Sequence, residues 1–201
     1  MEPLETRRTR PAQSNAAQPY RETASQTAGP YVHIGCLPQW AGLGGVFLRD
    51  LVANTDDTNP PAGELITIEG HVIDGAGEIC RDVMLEFWHC QPDGTFDPGI
   101  WRRSATDLAT GTYIVETIMP GSSGENAPFI AVWITARGIN TGLLTRIYFP
   151  EFSDANGRDP DLAMIDPKRH LTLMAAPGTK PGQWTFDVHL QGEDETVFFD
   201  I

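Results

Sequence analysis

From Leu65 to Asp74 the chain reads "LITIEGHVID", with an apolar side chain at nearly every second position, and after the turn "GAG" the pattern resumes in "VMLEFWHC", Val83 to Cys90. A repeat of two is the repeat of an extended strand, whose successive side chains point to opposite faces; a helix needs a repeat near 3.6. Leu85 and Phe87 therefore face one way and Glu86 the other, with Gly77 completing a tight hairpin turn. Similar runs follow in "GTYIVETIM", "FIAVWITAR", "LLTRIYFP", "QWTFDVHLQG" and the terminal "TVFFDI", each bounded by Gly, Pro or Asn. The twenty glycines and sixteen prolines are spread along the chain and suit many turns between short elements. Only "DPDLAMIDPKRHLTLMAA" reads as a helical excursion, and no internal repeat is present. The pattern predicts an all-β chain, a β-sandwich with long loops and little helix.

A chain of 201 residues suits one domain with its own core. Residues 1–25 are polar and poor in bulky apolar groups, and are expected to form a flexible arm; residues 26–201 are expected to form the sandwich domain. Gly29 and Pro30 of "TAGPYVHIG" predict a turn into a short apolar stretch, "AGLGGVFLRDLVAN" one or two irregular helical turns, and "DDTNPPAGE" a loop. The net charge of −13 argues against a nucleic-acid partner, which needs clustered Lys and Arg. Arg7, Arg8 and Arg10 are followed by no apolar run, so neither a secretory nor a twin-arginine signal is expected. No stretch is apolar enough to span a bilayer, so no membrane partner is expected. Cys36, Cys80 and Cys90 are an odd number without a C-x-x-C spacing, which favours free thiols and a cytoplasmic location.

The chemistry-bearing residues are sparse. His33, His71, His89, His170 and His189 form no H-x-H, H-x-x-H or H-E-x-x-H pair, and the G-x-S-x-G, G-x-x-x-x-G-K and G-x-G-x-x-G patterns are missing from the sequence. Trp88, Trp101, Trp133 and Trp184 read as core or interface aromatics. By itself the chain is a sandwich without a recognisable engine.

The segment Ile66–Phe96 resembles the signature of the intradiol ring-cleavage dioxygenases in Ile68, Gly70, Val72, Gly77, Leu85, Glu86, Gly94 and Phe96, with Cys80 the one departure. "SQTAGPYVHIG", "ARGINTGLLTRIYF" and "QGEDETVFFDI" narrow the likeness to the alpha chains of the family's two-chain members, over nearly all of the chain after Ser25. The resemblance implies a sandwich core and a non-haem ferric ion held by two tyrosines and two histidines. Both atoms of dioxygen are then inserted between the hydroxyl-bearing ring carbons, converting protocatechuate to 3-carboxy-cis,cis-muconate. It further implies that the iron, Fe(III), belongs to a homologous beta chain in a hetero-oligomer, and that the alpha chain walls the pocket for the aromatic dihydroxy acid.

The strand that carries H-x-H in catalytic chains reads here "PFIAVW", with Phe129 and Ala131 where the two ligands stand in the family. No tyrosine lies between Met119 and Phe129, and "DPGIWRRSAT" replaces the earlier tyrosine loop. No catalytic residue and no metal ligand is therefore expected in this chain. The same resemblance assigns Gly29, Pro30, Tyr31 and Arg137 to the substrate pocket, where a planar cation suits a carboxylate and Gly-Pro backbone suits a ring. Read without it, Arg137 is an ordinary ion pair and Tyr31 a core or interface residue. Glu86 is expected to make a structural salt bridge, with Arg81 or Arg146 as its partner. Two other readings fit the same residues: an aromatic-acid-binding sandwich without chemistry, or a purely structural subunit.

Overall fold

The computed structural model describes residues 27–44 and 62–200. The expected arm, most of "AGLGGVFLRDLVAN" and most of "DDTNPPAGE" lie outside them. Two sheets face each other. One contains β1 (Leu65–Ile73), β4 (Thr112–Ile118), β7 (Ala176–Pro177), β8 (Gln183–Thr185) and β9 (Val188–His189), in the order β4-β1-β8-β7 with β9 also paired to β1. The other has the order β3-β2-β5-β6, formed by β2 (Val83–His89), β3 (Ile100–Ala105), β5 (Phe129–Ala136) and β6 (Leu143–Tyr148). The alternation read from the sequence is the alternation of burial. Ile66, Ile68 and Val72 from one sheet meet Leu85, Phe87 and Ile130 from the other in one apolar core. The architecture is the expected β-sandwich.

Three local expectations are corrected. "TAGPYVHIG" continues into a helix, α1 (Pro30–Cys36), because Pro30 stands at its first position, where the missing N–H costs nothing. "DPGIWRRSAT" is not merely a loop but holds β3. Arg102 is buried there at 8% exposure, with Nε donating to the Glu116 carbonyl and Nη1 to that of Trp101, so a charged residue fills an inward position. "QWTFDVHLQG" makes two short strands rather than one, and "TVFFDI" contributes a single bridge from Phe199 to Leu144. The helical excursion is present as 3-10 turns at Leu162–Met164 and Pro167–Leu173.

The signature residues explain themselves in this frame. Ile68, Val72 and Leu85 are fully buried. Gly70 is required by close approach, since a Cβ there would stand 1.9 Å from the Phe186 carbonyl oxygen. Glu86 does form an ion pair, but with Arg103, directly opposite on β3, whose Nε donates to it at 2.9 Å; neither Arg81 nor Arg146 is the partner. Phe96 stacks on the half-exposed Trp88, ring centroids 6.2 Å apart. The motif builds the sandwich and leaves the chemistry to be found elsewhere.

Candidate functional site

The strand β5 ends in a turn closed by the Ile139 N–H donating to the Ala136 carbonyl, 3.2 Å away. Gly138 occupies that turn at φ +90°, in the left-handed region where side chains are strained, which is why a glycine follows Arg137. The turn carries Arg137 off the sheet, leaving its side chain 77% exposed. Its Nε forms an ion pair with Asp82 Oδ2, 3.1 Å away. Strand register sets that contact, because Val83 pairs with Ala136 and the next residues outward are Asp82 and Arg137.

On the other side of the turn, the Gly138 N–H donates to Thr27 Oγ1 at 2.6 Å. Thr27 lies two residues before Gly29, the N-cap of α1, so this bond brings the segment of Gly29, Pro30 and Tyr31 to the same edge as the Arg137 turn. Tyr31 is 83% exposed. The rest of α1 is anchored. Arg103 Nη1 donates to the Cys36 carbonyl at 2.9 Å, and Trp40 Nε1 donates to the Thr106 carbonyl at 3.0 Å. His33 is buried and stacked on Trp40 at 4.4 Å, its Nε2 has no hydrogen-bond partner among the described residues, and burial lowers its pKa. An exposed planar cation beside a fixed backbone wall can bind an anion. None of these side chains forms a nucleophile and base pair.

Phe129 and Ala131 sit on the face of β5 turned away from the core, while Ile130 and Val132 between and after them are buried in it. Arg146 of β6 pairs with Ala131 across the sheet. Its guanidinium lies 4.2 Å from the Phe129 ring centre and 4.9 Å from that of Phe199, ion-pairs with Asp161, and donates to the Tyr148 hydroxyl at 3.1 Å. Burial pushes the Tyr148 hydroxyl up to about 12, so it is no ready tyrosinate. A fixed guanidinium beside a phenyl ring and a methyl group does not fit a ferric ion: the donors are missing and the cations repel. Among the described residues, no three His, Cys, Asp or Glu side chains stand close enough to hold a metal.

Three of the five histidines are engaged in hydrogen bonds away from this corner. His89 is fully buried, its Nδ1–H donating to the Cys90 carbonyl and its Nε2 accepting from the Thr117 hydroxyl, both at 2.8 Å. His170 Nε2 donates to the carbonyls of Leu162 and Ile165 at 2.9 and 3.1 Å, at the wall of a half-open cavity of about 370 Å³ among residues 150–174. His71 faces Asp187 and Thr112 on the outer side of β1. All three cysteines are free.

Sequence reasoning missed Asp82 and Thr27. Asp82 was legible in principle: once Leu85 is set against Ile134, counting outward along the antiparallel pair reaches Asp82 and Arg137. Thr27 carried no signal, because its partner is a backbone N–H more than a hundred residues away.

The two-sheet sandwich is the fold of the intradiol ring-cleavage dioxygenases. An intradiol ring-cleavage dioxygenase from Tetranychus urticae superposes with a TM-score of 0.54 at 14% identity, covering 64% of this chain and 81% of its own. The dioxygenase domain of a carbohydrate-binding fusion from Streptomyces sp. SirexAA-E gives 0.51 at 26% identity over 68% and 83%. No family model matches the sequence. The protocatechuate 3,4-dioxygenase alpha chain of Burkholderia cepacia is 37% identical over 90% of this chain and 98% of its own, and that of Pseudomonas putida 38% over 90% and 96%. The beta chain of the Burkholderia cepacia enzyme is 28% identical over 74% of this chain and 73% of its own. The chain belongs to the protocatechuate 3,4-dioxygenase alpha-chain family.

Proposed function

We propose that this chain is the non-catalytic subunit of a hetero-oligomer whose homologous beta chain holds Fe(III), and that it completes the pocket in which protocatechuate is cleaved by dioxygen to 3-carboxy-cis,cis-muconate. The observation that carries the reading is the exposed corner where Thr27 joins the Gly29–Tyr31 segment to the Arg137 turn, a cation and a wall with no reactive group of their own. Bound in the partner, ferric iron supplies the Lewis acid and template for ring opening. Arg137 takes the substrate carboxylate through its planar fork, and Gly29, Pro30 and Tyr31 close over one face of the ring. By restricting how the acid lies, they set its orientation and exclude water from one side.

Two observations weigh against a self-sufficient enzyme. The H-x-H positions are Phe129 and Ala131, and the guanidinium of Arg146 rests on the phenyl ring at the first of them. The test is coexpression with a homologous iron-binding beta chain. The complex is expected to be coloured, to contain iron and to consume protocatechuate, whereas this chain purified alone contains no stoichiometric iron. Iron with a tyrosinate absorption band in the isolated chain contradicts the proposal, as does a beta chain that neither binds this chain nor changes activity with it.

A further inference from the structure

We infer that Asp82 is a positioning residue for substrate recognition, a role that rests on the reading of Arg137 given above. An exposed arginine side chain samples many rotamers, and immobilising it on binding is costly. Here one side of the guanidinium is already held by an ion pair: Nε lies 3.1 Å from Asp82 Oδ2. That contact uses the inner nitrogen, and no hydrogen bond among the described residues occupies the two terminal nitrogens, which can make bidentate contact with a carboxylate. Asp82 is two-thirds covered while Arg137 is three-quarters exposed, so the acid is the fixed member of the pair and the cation the presented one. Its backbone is fixed too, at the start of β2 opposite the end of β5. The Thr27–Gly138 hydrogen bond braces the same turn from the α1 side. An exposed ion pair adds little to fold stability, so the contact is better explained by what it orients than by what it stabilises.

The experiment compares Asp82→Asn, Arg137→Ala and the double variant in the assembled alpha–beta enzyme, with protocatechuate and with catechol, which has both hydroxyls but no carboxylate. Asp82→Asn is expected to raise KM for protocatechuate by roughly three- to tenfold with kcat within about twofold, and to leave catechol unchanged. The double variant should be no worse than Arg137→Ala alone, because Asp82 acts only through Arg137. Arg137→Ala losing activity selectively on protocatechuate while Asp82→Asn changes nothing overturns the role of Asp82 and leaves the reading of Arg137 standing. Equal losses on both substrates in Asp82→Asn, or less beta chain retained, make it an interface residue and also overturn the inference. No carboxylate-selective loss in Arg137→Ala removes the reading on which it rests.

Discussion

At the scale of single residues, side chains capable of chemistry are committed here to packing and hydrogen bonding. His89 is the clearest case. Burial, which opposes the charged form, lowers its pKa from 6.5 to about 4. The imidazole is therefore neutral in the fold and binds a proton more readily when unfolded. Stability contributed by the neutral form is complete above pH 6.5 and is lost as pH falls toward 4, by about 3 kcal/mol for a shift of this size. Urea unfolding followed from pH 7 to 4.5 should show that decline, and His89→Gln should flatten it relative to the parent. Identical slopes in the two proteins would assign the acid sensitivity to other groups. Arg146 is likewise committed to structure, its cation fixed by Asp161 and by the rings of Phe129 and Phe199 beside β5.

At the scale of elements, the strands that were legible are those with one wet face and one dry one. β1 and β5 alternate in sequence and in burial, as does β2 from Leu85 onward. β3 was not legible because Arg102 and Arg103 break the apolar period, although Arg102 is buried and satisfied by carbonyls. That one omission also misdirected the partner of Glu86, since Arg103 can be named only if β3 exists. The site divided in the same way. Arg137 and the Gly29–Tyr31 segment came from family resemblance, and no period or spacing marks them. Asp82 followed from register, which only the paired strands supply. The signature glycine makes the point testable: Gly70→Ala places a methyl group against the Phe186 carbonyl and is expected to destabilise the fold by about 2 to 3 kcal/mol, read as a lower denaturation midpoint. An unchanged midpoint would mean that β1 and the Phe186 segment separate freely.

At the scale of the whole molecule, the chain has the frame of an intradiol dioxygenase, and among the described residues no three His, Cys, Asp or Glu side chains stand close enough to hold a metal. On the proposed reading, the sandwich is kept as a rigid support that holds Arg137 and the α1 N-terminus in fixed relation, through Asp82 on one side and Thr27 on the other. No helix among the described residues is long and apolar enough to cross a membrane. On the same reading, Arg137 enters a partner's substrate pocket and meets a carboxylate there. This is tested most directly by the specificity constants of the assembled enzyme for protocatechuate and for catechol, before and after Arg137→Ala. A charge-assisted hydrogen bond of about 1.5 to 3 kcal/mol predicts a loss of roughly ten- to a hundredfold on protocatechuate. Catechol should lose far less, iron content should be unchanged, and Arg137→Lys should recover only part, because a point charge lacks the planar fork. The same kcat/KM for protocatechuate in parent and variant, at equal iron and equal assembly, would contradict the account.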